Sequence, residues 1–367
     1  MEMTKSPPLT PKTITRDTIT LGILGGGQLG RMSAMAAARL GIECVIYSNE
    51  PESCSAQVVK RTITADYDDE AALTEFARAV DVITYEFENI PVSTVQFLKA
   101  ITPVWPDEEL LRVSQDRVAE KSYLNAIDIP TARWAQVNSA DNIESTLEDW
   151  GVASLILKTT RFGYDGKGQS RFTSGEDDSK TTWKNLGEQT LIAEEIIDFD
   201  CEISLIIARG SCGDIQIYGP MVNEHKDHIL SRTVIPCPLP QGIQNNAIAM
   251  AEKLAEAVHL RGVLTLELFV TKDGNIVANE IAPRTHNSGH WSIDACPASQ
   301  FENHVRAVCG LPLGDATPHS AAEMINLIGD DVHKVQDYMS TQGANVHLYG
   351  KRDIRPGRKM GHITVLK

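Results

Sequence analysis

The feature that most constrains the fold lies near the start of the chain. An apolar run, Ile19 to Leu24, ends in Gly25-Gly26-Gly27-Gln28-Leu29-Gly30, a helical pattern follows to Leu40, Gly41 stops it, and a second apolar run covers Cys44 to Tyr47. A strand, a glycine turn, a helix and another strand in that order predict a strand-helix-strand unit with a parallel sheet. A further helix (Asp68 to Val80) and strand (Asp81 to Tyr85) continue the pattern as far as Pro103 to Pro106, so an α/β domain is expected over 18–115. Residues 1–17, with Pro7, Pro8 and Pro11 among Thr and Lys, read as a disordered tail.

The loop contains Gly25-x-Gly27-x-x-Gly30 with Glu50 downstream, matching the dinucleotide fingerprint. Its physical content is more general, because glycines allow close backbone approach and a helix N-terminus attracts any anion. A dinucleotide, another anionic ligand and a plain tight turn all stay open on these residues alone.

The chain has 367 residues, 42% of them hydrophobic, enough for two or three cored domains. Its formal charge of -15 argues against nucleic acid or an anionic membrane as the main partner. The seven cysteines are odd in number, scattered, and never in a Cys-x-x-Cys pair, which predicts reduced thiols and a cytoplasmic protein. No apolar run is long enough to span a bilayer.

After residue 115 the pattern changes. Short strands (Ser154 to Lys158, Leu191 to Ala193) give way to longer alternating runs (Gly262 to Val270, Ile276 to Ile281), which predicts an α+β domain with antiparallel pairing over 116–315. A short C-terminal domain, 316–367, is expected to hold a short helix, a glycine-rich turn region and the basic stretch Lys351 to Lys359.

Two carboxylates stand out. Glu267 lies in the middle of a strand too apolar to be a solvated edge, and a two-residue turn at Asp273-Gly274 would place it opposite Glu280. Like charges facing each other in a partly buried sheet call for a cation between them. Hard oxygen ligands, with Asn279 adjacent, suit magnesium, with manganese the alternative; a solvent-facing charge pair is the plainer account.

Lys158 closes an apolar strand and precedes Gly163-Tyr164-Asp165-Gly166-Lys167-Gly168-Gln169, a glycine-rich loop suited to wrapping phosphates, although it lacks P-loop spacing and a simple hairpin would look similar. Leu191 to Ile197 reads as an apolar strand interrupted by Glu194 and Glu195, either a solvated strand end or a nucleotide contact. The five basic residues of 351–359 are suited to a phosphate, or form a solvated tail.

In this order the elements resemble the ATP-grasp superfamily. Within it, Gly25 to Met32 (GGGQLGRM), Thr84 to Asn89 (TYEFEN), Gly163 to Gln169 (GYDGKGQ) and Asn279 to Trp291 (NEIAPRTHNSGHW) resemble the 5-(carboxyamino)imidazole ribonucleotide synthetase family. The resemblance implies an ATP-grasp fold behind a parallel-sheet domain, and ATP-dependent carboxylation of aminoimidazole ribonucleotide by bicarbonate through carboxyphosphate, in purine biosynthesis. It implies that Arg117, Lys158, Gly163, Tyr164, Asp165, Gly166, Lys167, Gly168, Gln169, Glu194, Glu195, Ile196, Ile197, Glu202, His225, Asn279 and Glu280 bind ATP, and that Glu267 and Glu280 hold magnesium. Gln28, Leu29, Glu86, Tyr164, Arg284, Lys351 and Arg358 would surround the ribonucleotide, with Arg284, His286, Asn287 and Lys158 catalytic. It also implies a homodimer, functional coupling to the mutase that follows, and no use of NAD or biotin. His228 stands where the family favours glycine, Val222 where an acid is common and Thr285 where proline is frequent. A biotin carboxylase or a formate-using glycinamide ribonucleotide enzyme is the nearest rival; an NAD-dependent dehydrogenase and a non-catalytic nucleotide-binding subunit are the others.

Overall fold

The computed structural model describes residues 19–163 and 166–367. The expected tail 1–17, together with Tyr164 and Asp165, lies outside the described residues. The first sheet holds β1 (Thr20–Leu24), β2 (Glu43–Ser48), β3 (Arg61–Thr64) and β4 (Val82–Tyr85) in the order β3-β2-β1-β4, all parallel. Helices cover both of its faces, which explains the continuous apolar strands. Leu21 and Ile23 meet Ala34 and Ala37 of the helix Gln28–Arg39 together with Val305 and Val308 of the helix Gln300–Cys309. On the other side Leu24 and Ile83 meet Leu73 and Phe76. Each Leu, Ile, Val or Phe among them contributes about 1.5–3 kcal/mol when fully buried.

The second sheet, β5 (Trp134–Val137), β6 (Ser154–Thr159), β7 (Gln169–Thr173) and β8 (Leu191–Glu194), runs β5-β8-β6-β7 and is antiparallel. β8 ends at Glu194 instead of continuing to Ile197, because β5 begins at Trp134 opposite Glu194 and offers no strand residue beyond it. The Glu195 N–H instead donates to the Arg133 carbonyl at 2.9 Å.

The third sheet is larger. It comprises β9 (Phe199–Arg209), β10 (Ile215–Lys226), β11 (Ile229–Ile235), β12 (Gly262–Thr271), β13 (Ile276–Ala282), β14 (Ala322–Ile328), β15 (Ala344–Leu348) and β16 (Lys359–Leu366), in the order β13-β12-β9-β10-β11-β14-β16-β15. The C-terminal segment therefore extends this sheet through the β11–β14 pair, in addition to its short helix Val335–Met339. The helix Gln241–Ala257 buries Ala247, Ala251 and Leu254 against Leu264, Leu266 and Leu268. Among the described residues no helix is long and apolar enough to cross a membrane.

The β12–β13 hairpin differs from expectation at its tip. Val270 pairs with Ile276, and the Thr271 N–H donates to the Asn275 carbonyl, so the loop has three residues, Lys272 to Gly274, with Gly274 left-handed at φ +81°. That arrangement is a type I turn closed by a left-handed residue. A β-bulge then places Asn279 as the extra residue, and Glu267 faces Glu280 after all.

Candidate active site

Between the three sheets lies a cleft of about 700 Å³. Its rim at the first sheet is the glycine loop, whose Gly25, Gly27 and Gly30 amides are already engaged. The Gly27 and Gly30 N–H groups donate to the two carboxylate oxygens of Glu86, Gly30 at 2.9 Å. A Cβ at Gly25, at φ +108°, or at Gly27 would collide with the Glu86 side chain. The fingerprint glycines thus make room for an internal carboxylate at the helix N-terminus, where the helix dipole favours negative charge. Burial raises the Glu86 pKa, against the two amides that favour its ionised form.

The opposite wall is the hairpin. Glu267 and Glu280 face the cleft on neighbouring strands, and each carries a cationic or ionisable partner. The Arg117 Nη1 lies 2.9 Å from Glu280, and the His286 Nε2 lies 3.0 Å from Glu267. Burial opposes charge on Glu280, but Arg117 outweighs it and holds its pKa below the ordinary value. Two opposed carboxylates open to a polar cleft are a fitting donor set for a magnesium ion that keeps several water ligands.

Behind Glu280 sits a layer that pattern reading misses. Lys121 is 1% exposed and donates to the carbonyls of Ala278 at 3.3 Å and Asn279 at 2.7 Å, bracing the bulge, while also lying 3.4 Å from Glu194. Glu194 also accepts from Lys158 at 2.6 Å. Burial penalises its charge, yet the two ammonium groups keep its pKa at about 2. Glu120 accepts the Ile281 N–H, and its pKa is pushed up to about 8 by burial and by Glu280.

Arg284, from the segment after β13, forms a two-point pair with Glu88, its Nη2 donating at 3.0 Å alongside an Nε contact. Burial works against the Glu88 charge, but Arg284 prevails and its pKa falls to about 2. Asn287 is 8% exposed and borders the cleft, and among the described residues neither of its amide atoms has a hydrogen-bond partner, which leaves both able to meet a ligand. Across the cleft His225 lies 3.2 Å from Glu202; burial lowers its pKa, but hydrogen bonding to Glu202 gives a net rise. His228, where glycine was expected, adopts φ +63° after Asp227 at φ +51°, and Gly166 of the loop packs against its ring. A left-handed conformation at such a residue costs about 1–2 kcal/mol.

The cleft collects Gln28, Leu29, Glu86, Arg117, Lys158, Gly163, Gly166, Lys167, Gln169, Glu202, His225, Glu267, Asn279, Glu280, Arg284, His286 and Asn287. Gly168, Glu194, Glu195, Ile196, Ile197, Lys351 and Arg358 are not among its lining residues. Glu194 is internal, tied to Lys158 and Lys121. The basic stretch is partly neutralised, with Arg352 on Glu52 and Arg355 on Asp353. The Lys351 ammonium lies 5.7 Å from the centre of the Tyr349 ring, and burial lowers its pKa. Glu88, inside the Thr84 to Asn89 motif but not named as a site residue, and Glu120 and Lys121, outside the motifs, are further neighbours of the site. Phe269 could have been found, since it shares a strand face with Glu267; it stacks on Phe199 at 4.7 Å and gives the cleft an apolar wall.

Comparison with known proteins bears on the fold and the family. Residues 18–115 match the ribonucleotide synthetase preATP-grasp domain, residues 122–301 the ATP-grasp domain, and residues 322–367 the phosphoribosylaminoimidazole carboxylase C-terminal domain. The N5-carboxyaminoimidazole ribonucleotide synthase of Brucella melitensis is 46% identical over 357 residues, covering 97% of this chain and 98% of its own. That of Bacillus subtilis is 38% identical over 358 residues, covering 97% and 93%. Among solved structures, an ADP complex of an N5-carboxyaminoimidazole ribonucleotide synthetase superposes with a TM-score of 0.91 at 37% identity, covering 95% of this chain and 92% of that one. The Aspergillus clavatus enzyme in complex with ADP and 5-aminoimidazole ribonucleotide gives 0.89 at 28% identity, covering 96% and 94%. The fold is the ATP-grasp fold with an N-terminal parallel-sheet domain, and the chain belongs to the N5-carboxyaminoimidazole ribonucleotide synthase family.

Proposed function

We propose that this protein carboxylates 5-aminoimidazole ribonucleotide with bicarbonate at the expense of ATP, releasing ADP and phosphate. The observation that carries the proposal is the single cleft that joins the paired carboxylates of the hairpin to the glycine loop and the Arg284–Asn287 segment. ATP occupies the side of Lys158, the 163–169 loop and the Phe199/Phe269 wall. The ribonucleotide lies toward Gln28, Leu29 and Glu86, with Lys351, whose charge reaches Glu86, and Arg358 behind the lining residues, and bicarbonate lies between ATP and the ribonucleotide at Arg284, His286 and Asn287. Glu267 and Glu280 would hold magnesium, which supplies positive charge to the nucleotide phosphates when bound.

A bicarbonate oxygen attacks the γ-phosphorus, and the bond to the leaving ADP oxygen breaks. Two anions must meet in this step, so the fixed cations Arg284, Lys158 and Arg117 lower its cost. The exocyclic amine then forms its bond to the carboxyl carbon, the bond from that carbon to the phosphate oxygen breaks, and the amine proton leaves with phosphate. Gly166, Lys167 and Gln169, which border the cleft, are placed to keep water from the mixed anhydride. Hydride transfer, the rival suggested by the glycine fingerprint, leaves the Glu267/Glu280 pair without a role.

The test is ADP release by the purified protein with magnesium. Release is expected to need bicarbonate and the ribonucleotide together, and equal release without the ribonucleotide overturns the proposal.

A further inference from the structure

His286 is the end of a buried hydrogen-bond chain that crosses three strands. The Thr233 hydroxyl on β11 donates to Asn223 Oδ1 at 3.0 Å, and Asn223 Nδ2 on β10 donates to the Ser204 hydroxyl at 2.8 Å. Ser204 on β9, paired directly beside Glu267, donates to Ser288 Oγ at 2.8 Å. Ser288 Oγ lies 2.9 Å from His286 Nδ1. Thr233, Ser204 and Ser288 are at most 1% exposed and Asn223 is 7% exposed. Burying four polar side chains in a sheet face costs free energy unless every link is made, and here every link is made.

The direction of the chain is set by its chemistry. Its fixed point is the Ser288 backbone N–H, a donor that cannot reverse, aimed at His286 Nδ1; with Nδ1 accepting, the Asn223 amide nitrogen faces Ser204 and its oxygen faces Thr233. Ser204 then has one proton, which goes to Ser288, and Ser288 has one proton, which goes to His286 Nδ1. The Ser288 backbone N–H, 3.4 Å from the same nitrogen, points a second donor at it. A nitrogen facing two donors is the unprotonated one, which leaves the proton of the neutral ring on Nε2, the atom 3.0 Å from Glu267 in the cleft. Gln300 clamps the backbone of the same residue, accepting the His286 N–H at 2.8 Å and donating to its carbonyl at 2.6 Å.

We infer that Asn223, Ser204 and Ser288 are positioning residues that lock His286 as the Nε2–H tautomer, a donor into the cleft that meets Glu267 in this structure and turns to the bicarbonate-derived oxygens when they are bound, and not the acceptor of the amine proton. The inference rests on the proposed placement of bicarbonate at His286. The amine proton therefore goes to the phosphate leaving group, which the ring leaves free to take it.

The test uses the full chain with 15N-labelled histidine at about pH 8, where an ordinary imidazole is neutral. Two-bond 1H–15N spectra, with His286→Asn identifying the His286 signals, are expected to show an unprotonated Nδ1 and a protonated Nε2. In Ser204→Ala the signals are expected to shift toward the mixed tautomers of a free ring, and kcat to fall about 10- to 100-fold with KM for ATP within about 2-fold. A protonated Nδ1 in the unaltered protein overturns the inference whatever the variant does. So does Ser204→Ala with unchanged His286 signals, or with altered signals and unchanged kcat. If the unaltered protein makes no carboxylated ribonucleotide, the functional proposal fails separately, while the tautomer is still read from the spectrum.

Discussion

Replacing Glu280 by glutamine is expected to lower kcat for ADP release by about 10²- to 10³-fold, the usual consequence of removing one element of a charge-stabilising site. Glutamine keeps the size and one oxygen of the side chain but removes the charge, so magnesium would lose one of its two protein carboxylates. The effect on folding is expected to be small by comparison. The Glu280 side chain is 40% exposed but Arg117 only 16%, so the pair is partly buried; glutamine keeps an oxygen to accept from Arg117, and a loss of about 1–3 kcal/mol leaves the chain folded. Circular dichroism and a thermal melt check the fold, and steady-state ADP release checks the chemistry. Activity within a few-fold of the unaltered protein would remove Glu280 from the metal site.

Replacing Arg284 by lysine is expected to lower kcat/KM for bicarbonate by about 10²-fold even though the charge survives. The guanidinium satisfies both oxygens of Glu88 at once and holds itself beside His286 and Asn287; an ammonium is a point charge on a flexible stem that cannot make the parallel pair. Lysine would settle on Glu88 and withdraw from the cleft. Bicarbonate saturation curves at fixed ATP measure the change. An unaltered kcat/KM would mean that charge alone, without fixed geometry, is sufficient.

These residues differ in how far pattern alone reveals them. The facing of Glu267 and Glu280 is legible because Asp273-Gly274 marks a tight turn, but the expected register is right for a compensated reason: the loop is one residue longer than a two-residue turn, and the bulge at Asn279 restores the alignment. Bulges leave little trace in a sequence, since any residue can be the extra one. The parallel sheet is legible because strands buried on both faces are apolar without interruption. The attachment of the three C-terminal strands is harder to see, as it runs through β14 alone, whose pairing to β11 joins residues about ninety positions apart. Lys121 and Glu120 look like a solvated helical pair in sequence and become the brace behind the hairpin only when tertiary packing buries them. The glycine loop shows a different limit. Its spacing reports that something negative approaches the helix N-terminus, and in the fold that something includes the chain's own Glu86.

The carboxylation proposal is tested most directly by following label from bicarbonate. With 13C,18O-bicarbonate, ATP, magnesium and aminoimidazole ribonucleotide, 13C is expected on the exocyclic nitrogen of the product, and one 18O is expected in each phosphate released with ADP. Phosphate without 18O, formed alongside ADP, would show that water and not bicarbonate attacks the nucleotide, and would contradict the account.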